Sequence, residues 1–136
     1  MPAPKTPAPP KRPPPPPLPP PNADVILDVD TTDGHLHFVL ANIGPLPAHA
    51  VRVRFSHVVR NLAGLRVGDN PLYAQLEFLA PGRRLPLFVD TLTGYLRRRQ
   101  PMRFNVRLDW CDDAGHAQRR TITHDLTAWT QLRTTL

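Results

Sequence analysis

The residues of this chain that could do chemistry are mainly histidines, aspartates and arginines set between apolar residues. His35 and His37 lie two positions apart on a predicted strand and hence on one face, but two nitrogens without a third ligand make a weak metal site. The run 28–34 resembles a calcium loop, yet Asp33 stands where the loop glycine belongs and Val39 where a closing glutamate is required. We predict a hairpin turn at this run, and no metal or cofactor site.

Catalytic constellations are missing from the sequence. No Ser-His-Asp or Cys-His arrangement, glycine-rich phosphate loop or spaced pair of carboxylates has support. Cys111 is the single cysteine, which excludes an internal disulfide and a cysteine zinc site. His124 lies on the inward parity of the last predicted strand, as expected for a half-buried, hydrogen-bonded residue. The sequence therefore predicts a protein that is not an enzyme.

Arginines form the clearest polar pattern. Five occupy outward positions on the third, sixth and last predicted strands, namely Arg52, Arg54, Arg103, Arg107 and Arg119. In an immunoglobulin-type layout these strands are neighbours, so the guanidinium groups would gather on one face and could bind carboxylates or phosphates. The alternative is a solvated face on which Asp109 and Asp125 are interspersed. If the face docks a partner, reversing the charges of Arg54 and Arg107 together should weaken association and leave the thermal midpoint nearly unchanged.

Two further basic spots, Arg83-Arg84 and Arg97-Arg98-Arg99, fall on predicted loops. A nucleic-acid module normally interleaves such patches with aromatic residues on which bases stack. Few aromatics lie near these arginines, so nucleic-acid binding is not favoured.

The first 23 residues contain 13 of the 19 prolines and cannot form helix or sheet, because proline lacks the backbone donor and restricts its neighbour. We predict a polyproline II arm with a reach of about 70 Å at about 3.1 Å per residue. A basic pair beside P-x-x-P spacing is the composition that SH3-like aromatic grooves recognise. The residues that would form such a ligand are Lys11, Arg12, Pro13, Pro16 and Leu18. The alternative is a stiff, passive spacer.

The elements that must position these residues are short strands with alternating apolar residues. The inward set includes Leu36, Phe38, Val53, Phe104, Val106 and Trp110. Turn residues follow each run, the connection over 58–75 has no sustained period, and 91–100 reads as one helical turn or a loop. The sequence predicts an all-β fold: an immunoglobulin-like two-sheet antiparallel sandwich of about seven strands over residues 24–136, preceded by an extended proline-rich arm over residues 1–23.

Charge and hydrophobicity limit the partners and the cellular location that we expect for the chain. The formal net charge of +6 favours acidic partners without indicating a nucleic-acid binder. No apolar run behind the first residues suggests a secretory signal, and no stretch of about 18 apolar residues could span a membrane. We therefore expect a cytoplasmic location, or a particle assembled in the cytoplasm.

Several motifs resemble the bacterial immunoglobulin-like domains of the cell-adhesion-related (CARDB-like) kind over about residues 24–128. They are L-x-F-x-L-x-N-x-G at 36–44, Pro47-Ala48, V-x-V-x-F at 51–55, and Leu79-Ala80-Pro81-Gly82. The resemblance implies that Asn42 and Gly44 cap the loop after the second strand, and that Pro81 and Gly82 form the turn before the fifth. A free-standing domain of this kind with a proline arm also resembles proline-linked immunoglobulin-like proteins that decorate phage heads.

Together these features predict a non-catalytic accessory or structural subunit. It would dock on a larger bacterial or phage assembly through its sandwich and its extended arm, with a protein as the partner. The alternative is an adaptor whose proline-rich segment is the ligand of an SH3-like domain.

Overall fold

The computed structural model describes residues 2–4 and 6–131. Seven strands form its body: Val25–Asp30 (β1), His35–Asn42 (β2), Ala48–Phe55 (β3), Leu76–Leu79 (β4), Arg84–Thr91 (β5), Arg103–Cys111 (β6) and Ala117–Asp125 (β7). Three short helices are Pro71–Gln75 (α1), Leu92–Arg97 (α2) and Thr127–Gln131 (α3). The longest of these has six residues, and no helix in the described part of the chain is long enough to cross a bilayer. The predicted sandwich runs to residue 136, and its last five positions lie outside the described residues.

All strand pairs are antiparallel, and they form two sheets. One sheet has the order β1-β2-β5 and the other the order β4-β3-β6-β7. The predicted all-β sandwich is therefore confirmed. In the constant-type immunoglobulin layout the fourth strand joins the sheet of the first, second and fifth strands, whereas here β4 pairs with β3. Helix α1 packs against β3 through the buried Tyr73, whose ring lies 5.6 Å from that of Phe55, and this packing leads the chain to the edge of β3.

The core forms because alternate residues of facing strands point between the sheets. Phe38 on β2 contacts Phe55 on β3 and Phe104 on β6, with both ring centroids 5.7 Å away. The six side chains predicted to point inward are all buried, from Leu36 and Phe38 to Val106 and Trp110. Burying side chains of this size stabilises a fold by about 1.5–3 kcal/mol each. These contacts hold the two sheets in one arrangement and fix which residues face outward.

Turns occur where the sequence predicted them. Asp33 and Gly34, between β1 and β2, have φ values of 55° and 73°, a conformation that glycine and aspartate tolerate better than most residues. The turn between β6 and β7 is held by Asp112, whose carboxylate accepts hydrogen bonds from the backbone N–H groups of Ala114 (3.0 Å) and His116 (2.8 Å). Both turns join antiparallel neighbours and set the register of the strands.

The described residues of the proline-rich segment have no helix or strand, and residues 6–21 are exposed. The body begins at Ala23, which is buried with the core just before β1. The polyproline II conformation remains a prediction.

Candidate docking face

The five outward arginines come together on the outer face of the four-stranded sheet. Strand register places Arg52 opposite Asp109 and Arg54 opposite Arg107 between β3 and β6. Across the next pair, Arg119 of β7 lies opposite Asp109, and Arg103 of β6 opposite Asp125. We call this surface, with Arg52, Arg54, Arg103, Arg107 and Arg119, the arginine face. Its three strands are neighbours because the chain returns from β5 through α2 to place β6 beside β3.

Three of the five arginines bind carboxylates of the same sheet. Arg52 Nη2 lies 2.8 Å from Glu77 Oε1, Arg107 Nε lies 2.9 Å from Asp109 Oδ2, and Arg119 Nε lies 2.7 Å from Asp109 Oδ1. Part of the face is thus neutralised by its own acids. Exposed pairs of this kind contribute little to folding, typically about 0–1 kcal/mol each.

Arg54 and Arg103 form no ion pair with any described residue, and both are exposed. Arg54 also lies directly opposite another arginine, and like charges in that position on a sheet destabilise it. Five guanidinium groups face three carboxylates, those of Glu77, Asp109 and Asp125. The unbalanced positive charge is therefore concentrated where Arg54 meets Arg107.

Asp109 is the acid at the centre of the arginine face. Its partial burial would raise its pKa, but the hydrogen bonds from Arg119 and Arg107 outweigh this effect and hold the pKa of Asp109 below its usual range. The carboxylate therefore stays ionised at neutral pH and keeps these two side chains in place.

Acid should destabilise the fold because four aspartates have lowered pKa values. Hydrogen bonds are the main cause of each lowered pKa. The donor is the hydroxyl of Thr32 for Asp30, the backbone N–H of His116 for Asp112 and the hydroxyl of Thr127 for Asp125. For Asp109 the donors are Arg119 and Arg107. A pKa that is lower in the folded state gives stability that is complete above the unfolded value and is lost as pH falls through the folded value. We expect the thermal midpoint to be level between about pH 7 and 5 and to fall below about pH 4.

Circular dichroism melts from pH 7 to pH 2.5 measure this effect. An Asp109→Asn variant should show a shallower fall than the parent, because one of the four lowered pKa values is removed. Equal slopes for the two proteins would contradict this role for Asp109.

The predicted ligand residues of the proline segment, Lys11, Arg12, Pro13, Pro16 and Leu18, are all exposed, and Leu18 retains 90% of its accessible surface. The segment adjoins the arginine face at a crevice of about 470 Å³, lined by Pro19, Pro20, Trp110 and Arg119. The indole N–H of Trp110 is buried there and has no acceptor among the described residues.

The other candidate residues take structural positions. The rings of His35 and His37 lie 5.9 and 5.5 Å from Phe88, and Asp30 accepts hydrogen bonds from Thr32 within the β1–β2 turn. His124 is half-buried and its Nε2 lies 2.7 Å from the carbonyl oxygen of Leu27, as its inward parity predicted. No group of three or more potential metal ligands comes together within the described ranges 2–4 and 6–131.

Asn42 is a buried clamp at the root of the proline segment. Its Oδ1 accepts hydrogen bonds from the backbone N–H groups of Asp24 and Gly44, both at 3.0 Å. Its Nδ2 donates to the carbonyl oxygens of Leu46 (2.8 Å) and Leu79 (3.1 Å). One side chain thus joins the start of β1, the β2–β3 connection and the end of β4. The resemblance to immunoglobulin-like domains implied loop capping by Asn42 and Gly44; the contact with the end of β4 was not expected.

The basic run at 97–99 contains a structural residue that sequence reasoning missed. Arg98 forms an ion pair with Asp90, which is fully buried at the end of β5. A Cβ atom on Gly94 would lie 2.5 Å from Arg98 Nη1 and 2.6 Å from Asp90 Oδ1, so a larger residue there would have to displace the pair. A run of three arginines carries no indication that the middle one binds a buried carboxylate.

Residues 20–130 match the family model described as a domain of unknown function, DUF8453. The chain belongs to this family. The match covers all seven strands, the arginine face and the Asn42 clamp, and it begins after the predicted ligand residues Lys11 to Leu18. No curated protein and no solved structure matches the DUF8453 chain.

Proposed function

We propose that this DUF8453 protein is a non-catalytic docking subunit of a larger assembly, and that its arginine face binds a carboxylate-rich surface of a protein partner. The observation that carries the proposal is the unpaired Arg54 set directly opposite Arg107. Two arginines directly opposite each other on neighbouring strands repel when the face is empty, and a carboxylate bound between them would reduce that repulsion.

The neighbours of this pair favour protein over nucleic acid. The next row of the face carries Ser56, Asn105 and Thr123, joined by hydrogen bonds of 2.7–2.9 Å. These three side chains donate and accept hydrogen bonds but offer no ring on which a base could stack; the exposed ring beside them is the imidazole of His57, whose Nδ1 lies 2.8 Å from Ser56 Oγ. Arg103 extends the positive charge along β6 toward the far end of the sheet.

The proline segment supplies reach. An already extended segment loses little conformational entropy when it binds, so a few anchors such as Leu18 and Lys11 would suffice to hold it along a neighbouring subunit. We expect the assembly to be a bacterial complex or a phage particle, in which the sandwich binds one component and the proline segment binds along the next.

The docking prediction is tested with a synthetic peptide of eight acidic residues. In 50 mM salt, Arg54→Gln with Arg107→Gln should weaken binding about tenfold, because two guanidinium contacts of up to about 1 kcal/mol each are lost. The control, Arg83→Gln with Arg84→Gln, removes the same charge from the start of β5 and the residue before it, and should change affinity less than twofold. Amide chemical shifts should move on β3 and β6.

Equal losses in the two double variants would contradict the proposal, since they would show attraction to net charge alone. Tighter binding of a DNA oligonucleotide carrying eight phosphates would favour a nucleic-acid partner instead. Thermal melts of each variant check that the fold is retained.

The second candidate function is an adaptor whose proline segment is the ligand of an SH3-like domain. The exposure of Lys11, Arg12 and Leu18 favours it. Deleting residues 2–19 separates the two functions. Loss of a stable, stoichiometric complex purified from the native source supports the docking subunit, whereas loss of a weak, micromolar interaction with the complex intact supports the adaptor.

A further inference from the structure

The two sheets have four edge strands, and three of them are poor templates for pairing with another strand. β4 has only four residues, β5 carries Pro86 in its middle, and β1 presents Asp28 and Asp30. Short strands, proline and charged residues at an edge all discourage association through backbone hydrogen bonds. β7 differs, because it has nine residues with no proline and no break in its register with β6. It also carries charges, but Arg120 binds Asp24 within the chain, and Arg119 and Asp125 have opposite signs, so they can pair rather than repel when two copies of the strand meet.

The free hydrogen-bonding groups of β7 belong to its odd-numbered residues. Next to the two ends of the β6–β7 ladder, the N–H of Asp112 donates to the carbonyl of His116 (2.9 Å) and the N–H of Leu126 donates to the carbonyl of Met102 (2.7 Å). Hydrogen-bonded pairs alternate along an antiparallel ladder, so the even residues of β7 bond to β6 and the odd ones point away. In the described part of the chain, no backbone hydrogen bond reaches the odd residues 117–125 from the open side.

We propose that β7 is a homodimer interface, in which β7 of a second copy pairs antiparallel with it about a two-fold axis at Ile122. This register places Arg119 opposite Asp125 of the second copy and Thr121 opposite Thr123, and each pair occurs twice. All four residues are odd-numbered and present free backbone groups, so the ladder can form without disturbing β6. Opposite charges and paired threonines are favourable cross-strand neighbours.

The charged atoms remain available for these contacts. Arg119 reaches Asp109 through Nε, which leaves its terminal amino groups. Asp125 accepts from the backbone N–H and the hydroxyl of Thr127, and a carboxylate with about four acceptor sites can take a further donor. The neighbouring allowed register, centred on Thr121, would put Asp125 opposite Ala117 and lose both ion pairs. Charge complementarity therefore selects the axis at Ile122, where two half-buried isoleucines meet on the inner face.

The dimer is independent of the proposed docking function, although the two are compatible. Pairing through β7 joins two four-stranded sheets into one of eight strands and sets two arginine faces side by side. Docking is read with an acidic peptide and the Arg54 and Arg107 variant, whereas dimerisation is read as mass, so either can fail alone.

Sedimentation velocity of the full chain tests the interface by charge exchange. The parent should sediment as a dimer at high micromolar concentration. Arg119→Asp and Asp125→Arg should each weaken the dimer about tenfold or more, because both cross-strand pairs become like-charged. The double variant should restore the dimer, although it keeps the losses that each single change causes within one copy.

Disulfide trapping tests the register in a Cys111→Ser background. Ile122→Cys should form a disulfide with its own copy, because residues on the axis face each other in a close, non-hydrogen-bonded pair. Thr32→Cys, in the β1–β2 turn, is the control and should form no disulfide between copies. A parent that sediments as a monomer at 0.5 mM would overturn the proposal, as would a dimer that neither charge reversal weakens.

Discussion

Replacing Asn42 with alanine is expected to lower the free energy of unfolding by about 4 kcal/mol, the largest loss we predict for a single side chain. The change leaves two N–H groups and two carbonyl groups without their partner at a buried position. Each unsatisfied buried group costs about 1–3 kcal/mol, and water entering the space relieves part of that cost. Urea unfolding followed by tryptophan fluorescence measures the loss.

Two further variants show whether the hydrogen bonds are responsible. Asn42→Asp keeps the acceptor for Asp24 and Gly44 but cannot donate to Leu46 or Leu79. It should therefore also be less stable than the parent, because it loses the two bonds that Nδ2 donates and keeps the two that Oδ1 accepts. Asn105→Ala is the control, since Asn105 is exposed and its side chain bonds only to Thr123 among the described residues; its loss should stay below about 1 kcal/mol. Equal losses for Asn42→Ala and Asn105→Ala would refute the clamp.

Arg98→Ala is expected to cost about 3 kcal/mol, whereas Arg97→Ala and Arg99→Ala should each stay within about 0.5 kcal/mol. The three residues are adjacent and exposed, and they differ in that Arg98 compensates the buried carboxylate of Asp90. Removing one partner of such a pair leaves a charge that water cannot reach. Chemical denaturation of the three variants makes the comparison, and a similar effect at all three positions would contradict it.

A double variant isolates the cause. Asp90→Asn in the Arg98→Ala background removes the uncompensated charge and should recover part of the lost stability. If the double variant is less stable than Arg98→Ala by the full cost of a second independent change, the ion pair is not what Arg98 contributes.

The strands and their buried faces could be predicted wherever apolar and polar residues alternate within a single strand. Phe104, Val106 and Trp110 alternate with polar residues, and that period alone fixes which face is buried. The outward arginines could be predicted with it, because parity assigns a residue to a face whatever its partner is. The position of β4 could not be predicted, since it depends on how α1 packs against β3.

Contacts within the site depend on register, which parity does not supply. Arg54 lies opposite Arg107, and Arg107 and Arg119 share Asp109, only because β3, β6 and β7 pair in one particular alignment. Likewise, Asn42 reaches Leu79 across 37 positions of sequence, so no local pattern could reveal its fourth hydrogen bond. The sequence thus indicates which groups are available, and pairing decides which of them are neutralised.

The clamp at Asn42 also determines how the molecule responds to a pull. Its Oδ1 holds the N–H of Asp24 at the point where the proline segment becomes β1, and a Cβ atom on Gly44 would lie 2.2 Å from the carbonyl oxygen of Asn22, so glycine allows the two backbones to pack this closely. Tension along the segment would reach β1 directly, because the residues between the segment and the strand are already held against the body. Six register pairs between β1 and β2 would then carry the load together, which makes the segment suitable as a tether.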